Sequence, residues 1–276
     1  MAESNNSFRH TLAVRAVSGA ALVAVMLAVL WLGGLFWHIF AAVAALGSLW
    51  EFFRMQPGLP AGAKVLGIAT GGAMIFLSRT LSQTTLLSLV SLCCFLVYFM
   101  ELARRQMTGE SNSISSVGPV IAGLAYIIVP WYCMIFLRLL PDPVGFAVVL
   151  SLFLCTWACD VAAYLTGSKF GSIRVCPHIS PNKSLEGFIG GLVGSLLCGA
   201  ACALVFGFHC WAFILQGAVC GTLGQLGDLT ESLIKRECGV KDSGQILPGH
   251  GGFLDRFDSV LISALCSWFI WWGAMP

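Results

Sequence analysis

Residues 186–206 read EGFIGGLVGSLLCGAACALVF, twenty-one residues whose only charge, Glu186, stands at the first position. A helix needs roughly 20 mainly apolar residues to cross the hydrocarbon core of a bilayer. A helix apolar on every side has to lie among lipid or other apolar helices. The stretch therefore predicts a transmembrane helix, and Gly187, Gly190, Gly191 and Gly194 give it small faces for close packing against a neighbour.

The same measure predicts spans near 13–32, 35–53, 62–78, 82–100, 116–137, 144–166, 209–229 and 259–275, nine with the first. Of all residues 58% are hydrophobic and 10% charged, against about 25% charged in ordinary soluble domains. The expected fold is all-α and polytopic, with about nine transmembrane helices. Lys and Arg near span ends are retained on the cytoplasmic side. With the N-terminus inside, thirteen of the fifteen basic residues become cytoplasmic, and only Arg79 and Arg138 fall outside. Met275-Pro276 would then be external, in a multi-pass protein of the inner (cytoplasmic) membrane. Net charge of +2 gives no reason to invoke nucleic acid. Most cysteines lie in spans, where Cys behaves as a small apolar residue, and no CxxC or Cys/His spacing suggests zinc.

Polar residues divide the chain. Residues 1–140 read as a transmembrane scaffold of about five spans, with Glu51 and Glu101 at span ends explained by pairing with Arg54, Arg104 and Arg105. Residues 141–276 carry nearly all the unusual groups, in two cytoplasmic loops at about 168–185 and 230–258 that are expected to form the site.

Asp160 lies toward the cytoplasmic end of its span, where a carboxylate costs about 2.5–3.5 kcal/mol at mid-helix on insertion scales. It either serves a site, pairs with Lys169 or caps a neighbouring helix. In Ser180-Pro181-Asn182-Lys183-Ser184-Leu185-Glu186-Gly187, Ser180 reads as an N-cap and Pro181 as the first helical residue, leaving N–H groups beside Lys183 that could hold phosphate. An ordinary cap with a solvated lysine reads equally well. Asp228 and Glu231 share a helix face, and two carboxylates at a membrane boundary ask for a cation. Mg²⁺, a hard ion that takes a few carboxylates together with substrate phosphates, suits them. The segment Ser232–Asp258, SLIKRECGVKDSGQILPGHGGFLDRFD, crowds nine ionisable side chains into an apolar protein. Asp255 and Asp258 stand at helical spacing, Gly251 and Gly252 allow close backbone approach, and Lys235, Arg236, Lys241 and Arg256 supply charge for polyphosphate or a lipid headgroup. The constellation suggests phosphoryl or nucleotidyl transfer on a lipid, with metal neutralising developing charge. A cation-coupled transporter using Asp160 and Asp228 is the alternative from another class.

Ser232, Lys235-Arg236, Lys241-Asp242, Pro248, His250-Gly251-Gly252 and Asp255-Arg256-x-Asp258 together resemble the signature of the phosphatidate cytidylyltransferases, the CDP-diacylglycerol synthases. Asp160 with Ala163-Tyr164 and Gly167 extends the likeness, and SPNKSLEG is similar to the family's SPKKTxEG, with Asn182 and Ser184 in place of a lysine and a threonine. The likeness covers about residues 155–276. It implies that a phosphatidate phosphate oxygen attacks the α-phosphorus of CTP, giving CDP-diacylglycerol and pyrophosphate. It implies Mg²⁺ on Asp228 and Asp255, with Asp160, Glu231 and Asp258 as outer ligands or orienting groups. It also implies a monovalent cation, K⁺, and a homodimer. Asp228, Asp255, Lys241 and His250 are the catalytic candidates, His250 chiefly as a positioning group. Ser180, Lys183, Ser184, Lys235, Arg236, Lys241, Arg256, Gly251 and Gly252 are the candidates for contacts to nucleotide or lipid phosphate.

Overall fold

A computed structural model describes residues 2–80, 82–246 and 251–274, with side chains from residue 17 onward except at 83. His250, Pro248, Gly249 and the two C-terminal residues lie outside the described residues. Helices α1 (Ala2–Leu32), α2 (Gly34–Arg54), α3 (Ala61–Phe76), α4 (Gln83–Thr108), α5 (Ser113–Gly123), α6 (Val129–Arg138), α7 (Val144–Phe170), α8 (Leu185–Phe206), α9 (Cys210–Val219), α10 (Gln225–Glu237) and α11 (Leu254–Ala274) account for most of the chain. In a bilayer backbone groups must be satisfied within the segment, which helices do. Two π-helical turns, Leu124–Ile128 and Cys220–Gly224, join α5 to α6 and α9 to α10 without a break.

Within the described residues, helix covers most of each of the nine expected segments. Among the described residues, six helical stretches are long and apolar enough to cross a membrane: Gly34–Arg54, Thr84–Thr108, Ser113–Arg138, Val144–Phe170, Leu185–Phe206 and Leu254–Ala274. Val17–Leu32 and Ala61–Phe76 are apolar but shorter, and the expected span at 209–229 is divided over α9, the π turn and α10.

The expected helix start at Ser180 is corrected. Strand β1 (Arg174–Cys176) pairs antiparallel with β2 (Ser180–Ser184), and Pro181 lies in that strand. The N-cap is Ser184, whose hydroxyl accepts from Gly187 N at 3.2 Å. The hairpin wins because its base is fastened to the helix: Glu186 accepts from the Ser172 hydroxyl and from Ile173 N.

The chain forms two compact units that each draw on separated parts of the sequence: Met1–Leu22, His38–Tyr132 and Asp242–Arg256 in the first, Val23–Trp37, Cys133–Lys241 and Phe257–Pro276 in the second.

In the first unit, glycines let large side chains meet helix backbones. A Cβ at Gly67 would come within 2.7 Å of the Phe53 ring, and one at Gly123 within 2.8 Å of Leu49 and Phe53. Buried Glu101 pairs with Arg104 at 3.4 Å, as the sequence suggested, and also accepts from Ser116 Oγ at 2.8 Å and Asn112 N at 3.1 Å, so it fixes the start of α5.

In the second unit, α7 and α8 pack along the glycine face expected of α8. A Cβ at Gly187 would meet Ala163 O at 3.0 Å, one at Gly191 would meet Cys159 Sγ at 2.9 Å, and one at Gly194 would meet Ala162 Cβ at 2.5 Å. Buried polar groups are matched across helices: Ser195 donates to Gly217 O at 2.8 Å, Gln216 donates to Val148 O at 3.0 Å, and Trp271 Nε1 donates to Gln216 Oε1 at 2.6 Å. Arg138, 7% exposed, donates from Nε to Leu30 O at 3.0 Å and pairs with Asp142 at 2.9 Å.

Candidate active site

The site in the second unit begins where α10 leaves the π turn. Gly224 and Gly227 bring α10 against α11, since a Cβ at Gly224 would lie 2.8 Å from Ser263 Oγ and one at Gly227 2.9 Å from Asp258 O. Asp258 consequently stands within the fields of Asp228 and Asp160 and in hydrogen-bonding reach of Glu231. Its Oδ1 also accepts from Ser259 N at 2.6 Å. One face of α10 carries Asp228 and Glu231, as the spacing predicted, together with Ser232 and Lys235. Glu231 is fully buried and its Oε2 holds the Lys235 ammonium at 2.8 Å, while Ser232 Oγ reaches Asp228 Oδ1 at 3.4 Å.

Asp228 Oδ2 also meets Lys183 Nζ at 2.6 Å. The hairpin delivers that lysine: β2 carries Asn182 and Lys183, and Arg174 Nη1 donates across to Asn182 O at 3.0 Å. Above the pair lies a cleft of about 530 Å³, lined by Asp160, Tyr164, Arg174, Asn182, Lys183, Ser184, Gln225 and Asp228 among others. Gln225 holds the floor by donating to Phe188 O at 3.0 Å and Gly221 O at 2.6 Å. Acids and bases from α7, β1, β2 and α10 thus face one volume.

Other expected phosphate contacts are placed differently. Lys235 is engaged with Glu231, and Arg236 donates to Val240 O at 3.1 Å and Ile179 O at 3.5 Å, tying the end of α10 to the loop before β2. Lys241 and Arg256 are exposed, while Ser180 is half-buried at the start of β2.

Asp255 belongs to the first unit. Its carboxylate accepts from Ser243 N at 2.9 Å, Ser243 Oγ at 2.9 Å and Gly252 N at 2.8 Å. The N–H of Gly252, expected to approach phosphate, is therefore given to Asp255. Gly251 has φ +79°, and a Cβ there would lie 2.5 Å from Asp255 Oδ2. The small residues make room for this carboxylate.

Glu51 was missed as part of this arrangement. It is not paired with Arg54, whose guanidinium lies 5.3 Å over the Trp50 ring. Fully buried, it accepts from Phe253 N at 3.1 Å, Leu254 N at 3.0 Å and Ser243 Oγ at 3.1 Å. The signal in the sequence was a lone acid in an apolar helix, which needs partners wherever it lies.

The donor set of the cleft suits a hard cation. Asp160 and Asp228 open on the same volume, and the carboxylate of Asp228 already holds an ammonium. Among the described residues no three His, Cys, Asp or Glu side chains converge to enclose a metal ion. A Mg²⁺ ion held here would complete its shell with water and substrate oxygens, as Mg²⁺ ordinarily does.

Helical spans and a cleft where acids meet bases define a polytopic α-helical membrane protein. The model of the cytidylyltransferase family matches residues 13–272. Phosphatidate cytidylyltransferases of Staphylococcus haemolyticus and Staphylococcus aureus are 34% and 35% identical to the chain, each alignment covering 90% of this chain and 94% of the relative. That of Staphylococcus saprophyticus is 32% identical with the same coverage. The chain belongs to the cytidylyltransferase family.

Proposed function

We infer that this protein is a nucleotidyltransferase that moves the cytidylyl group of CTP onto phosphatidate, giving CDP-diacylglycerol and pyrophosphate for phospholipid synthesis. Family membership over nearly the whole chain supports the reaction. The observation that carries the assignment of residues is the Lys183–Asp228 pair at the floor of the cleft.

A phosphatidate phosphate oxygen attacks the α-phosphorus of CTP, a new P–O bond forms there, and the bond to the β-phosphate oxygen breaks as pyrophosphate leaves. The attacking phosphate is already ionised near neutral pH, so no strong base is required, and His250 serves in positioning. Mg²⁺ bound here would supply charge neutralisation on the phosphates. Asp228 and Asp160 hold that ion from the cleft. Glu231 and Asp258 orient Asp228 through the contacts of α10, and Asp255 keeps the ligand role that the resemblance gives it. Lys183, which lines the cleft beside Asp228, would offer its ammonium to a substrate phosphate, and Arg174, Asn182 and Ser184 offer further donors beside it. Arg236, Lys241 and Arg256 serve the charged headgroup or the triphosphate, and Lys235 keeps Glu231 neutralised. K⁺ beside the Mg²⁺, a homodimeric state, nine crossings and a site open to the cytoplasm belong to the same reading, supported by the resemblance and by the distribution of basic residues.

Labelled CTP tests the direction of attack. Label at the α-phosphate should enter the lipid and label at the γ-phosphate should leave in pyrophosphate. Transfer of the γ-label to lipid would make the protein a lipid kinase and overturn the reading.

A further inference from the structure

Helix α2 carries a buried carboxylate that, among the described residues, accepts hydrogen bonds from Ser243, Phe253 and Leu254. Glu51 Oε1 accepts from Phe253 N, and Oε2 accepts from Leu254 N and the Ser243 hydroxyl, at 3.0–3.1 Å. The first N–H groups of a helix lack intrahelical acceptors and form a positive pole. At α11 a side chain roughly two hundred residues upstream satisfies two of them. The surroundings are shaped to admit it: a Cβ at Gly244 or at Gly252 would overlap the Glu51 carboxylate. One turn earlier on α2, Gly47 seats the Phe253 ring, which would lie 2.9 Å from a Cβ there.

Ser243 joins this carboxylate to that of Asp255. Its N–H donates to Asp255, and its hydroxyl lies 3.1 Å from Glu51 Oε2 and 2.9 Å from Asp255 Oδ2. One hydroxyl hydrogen serves one acceptor at a time, so the bonding of Asp255 depends on that of Glu51. We propose that Glu51, acting through Ser243 and the N-terminus of α11, is a positioning residue that sets the carboxylate of Asp255 for metal binding. The proposal rests on the functional reading above, in which Asp255 is a Mg²⁺ ligand. A shared hydroxyl and a common helix end are how outer partners usually fix a ligand, and their loss typically costs about 10–100-fold in metal affinity or activity.

The test compares wild type, Glu51→Gln, Ser243→Ala and Asp255→Asn in detergent. Hydrogen exchange of peptides spanning 251–256 is followed without metal, and Mn²⁺ binding is measured by electron paramagnetic resonance. Glu51→Gln replaces one acceptor with an amide NH₂ facing backbone donors. It should speed exchange at 253 and 254 and weaken Mn²⁺ binding about 10–100-fold. The concentration of Mg²⁺ for half-maximal activity should rise in step while KM for phosphatidate stays put. Ser243→Ala leaves both backbone caps in place and should give a smaller shift in the same direction. If Glu51→Gln does not fold, Ser243→Ala decides: unaltered Mn²⁺ affinity and Mg²⁺ dependence in that variant overturn the proposal. So does a folded Glu51→Gln protein with faster exchange but wild-type metal binding, since Glu51 would then be structural only. Wild-type Mn²⁺ binding in Asp255→Asn would instead sink the metal assignment of Asp255, a failure of the underlying reading and not of the link from Glu51 to the loop.

Discussion

Lys183 and Asp228 form an ion pair whose side chains are 30% and 33% exposed, and exposed pairs contribute about 0–1 kcal/mol to stability. Their close approach is therefore poorly explained by folding needs. Asp228→Asn should leave helicity and melting temperature near wild type while turnover falls by about a hundredfold or more, beyond the 10–100-fold usual for outer partners of a metal ligand. Wild-type turnover in that variant would remove Asp228 from the chemistry. Much of this was legible in the sequence, because a carboxylate at a membrane boundary is costly and i,i+3 spacing fixes which acids share a face. Glu51 was not. Its spacing from Arg54 suggested a local pair, whereas its partners lie 192 and more residues away and nothing local encodes them. Gly252 was misread for a related reason: a glycine admits any close neighbour, and here that neighbour is a side chain of the protein itself.

The glycines of α8 behave as their spacing foretold, because close approach of membrane helices depends on small residues. Gly217 of α9 shows the same constraint. A Cβ there would come within 2.7 Å of Ser195 O, a backbone atom that cannot rotate away. Gly217→Leu should destabilise the protein by at least about 1–3 kcal/mol through overpacking, read as a lower melting temperature in detergent. An unchanged melting temperature would mean that α8 and α9 do not approach this closely. Gln216→Leu should cost a similar amount, about 1–3 kcal/mol, by leaving the buried indole N–H of Trp271 without its acceptor. The π turns before α6 and α10 left no trace in the apolar pattern, since one extra residue per turn barely alters hydropathy. The hairpin before α8 escaped because Ser180-Pro181 satisfies the local rules for a helix start, and the contacts that favour the strand, the pairing with β1 and the tie from Glu186 to Ser172 and Ile173, are not local to it.

Over the whole molecule, the inside-positive distribution of Lys and Arg predicts that the hairpin and the end of α10 face the cytoplasm. Cys176 and Cys238, both free and half-buried, report on those two places. In variants keeping one or the other, a membrane-impermeant maleimide should label inside-out vesicles and spare intact cells. Labelling of intact cells would reverse the orientation. The helical membrane class was readable from composition and the lengths of the apolar runs; that each compact unit draws on separated segments was not, because sequence order gives no measure of which distant segments pack together. The most direct measurement is pyrophosphate release by the detergent-purified protein supplied with CTP, Mg²⁺ and phosphatidate, each omitted in turn, with the lipid product identified. Release that requires all three components and yields CDP-diacylglycerol is the predicted result, and a folded, lipid-supplied protein that releases no pyrophosphate, or does so without phosphatidate, would contradict it.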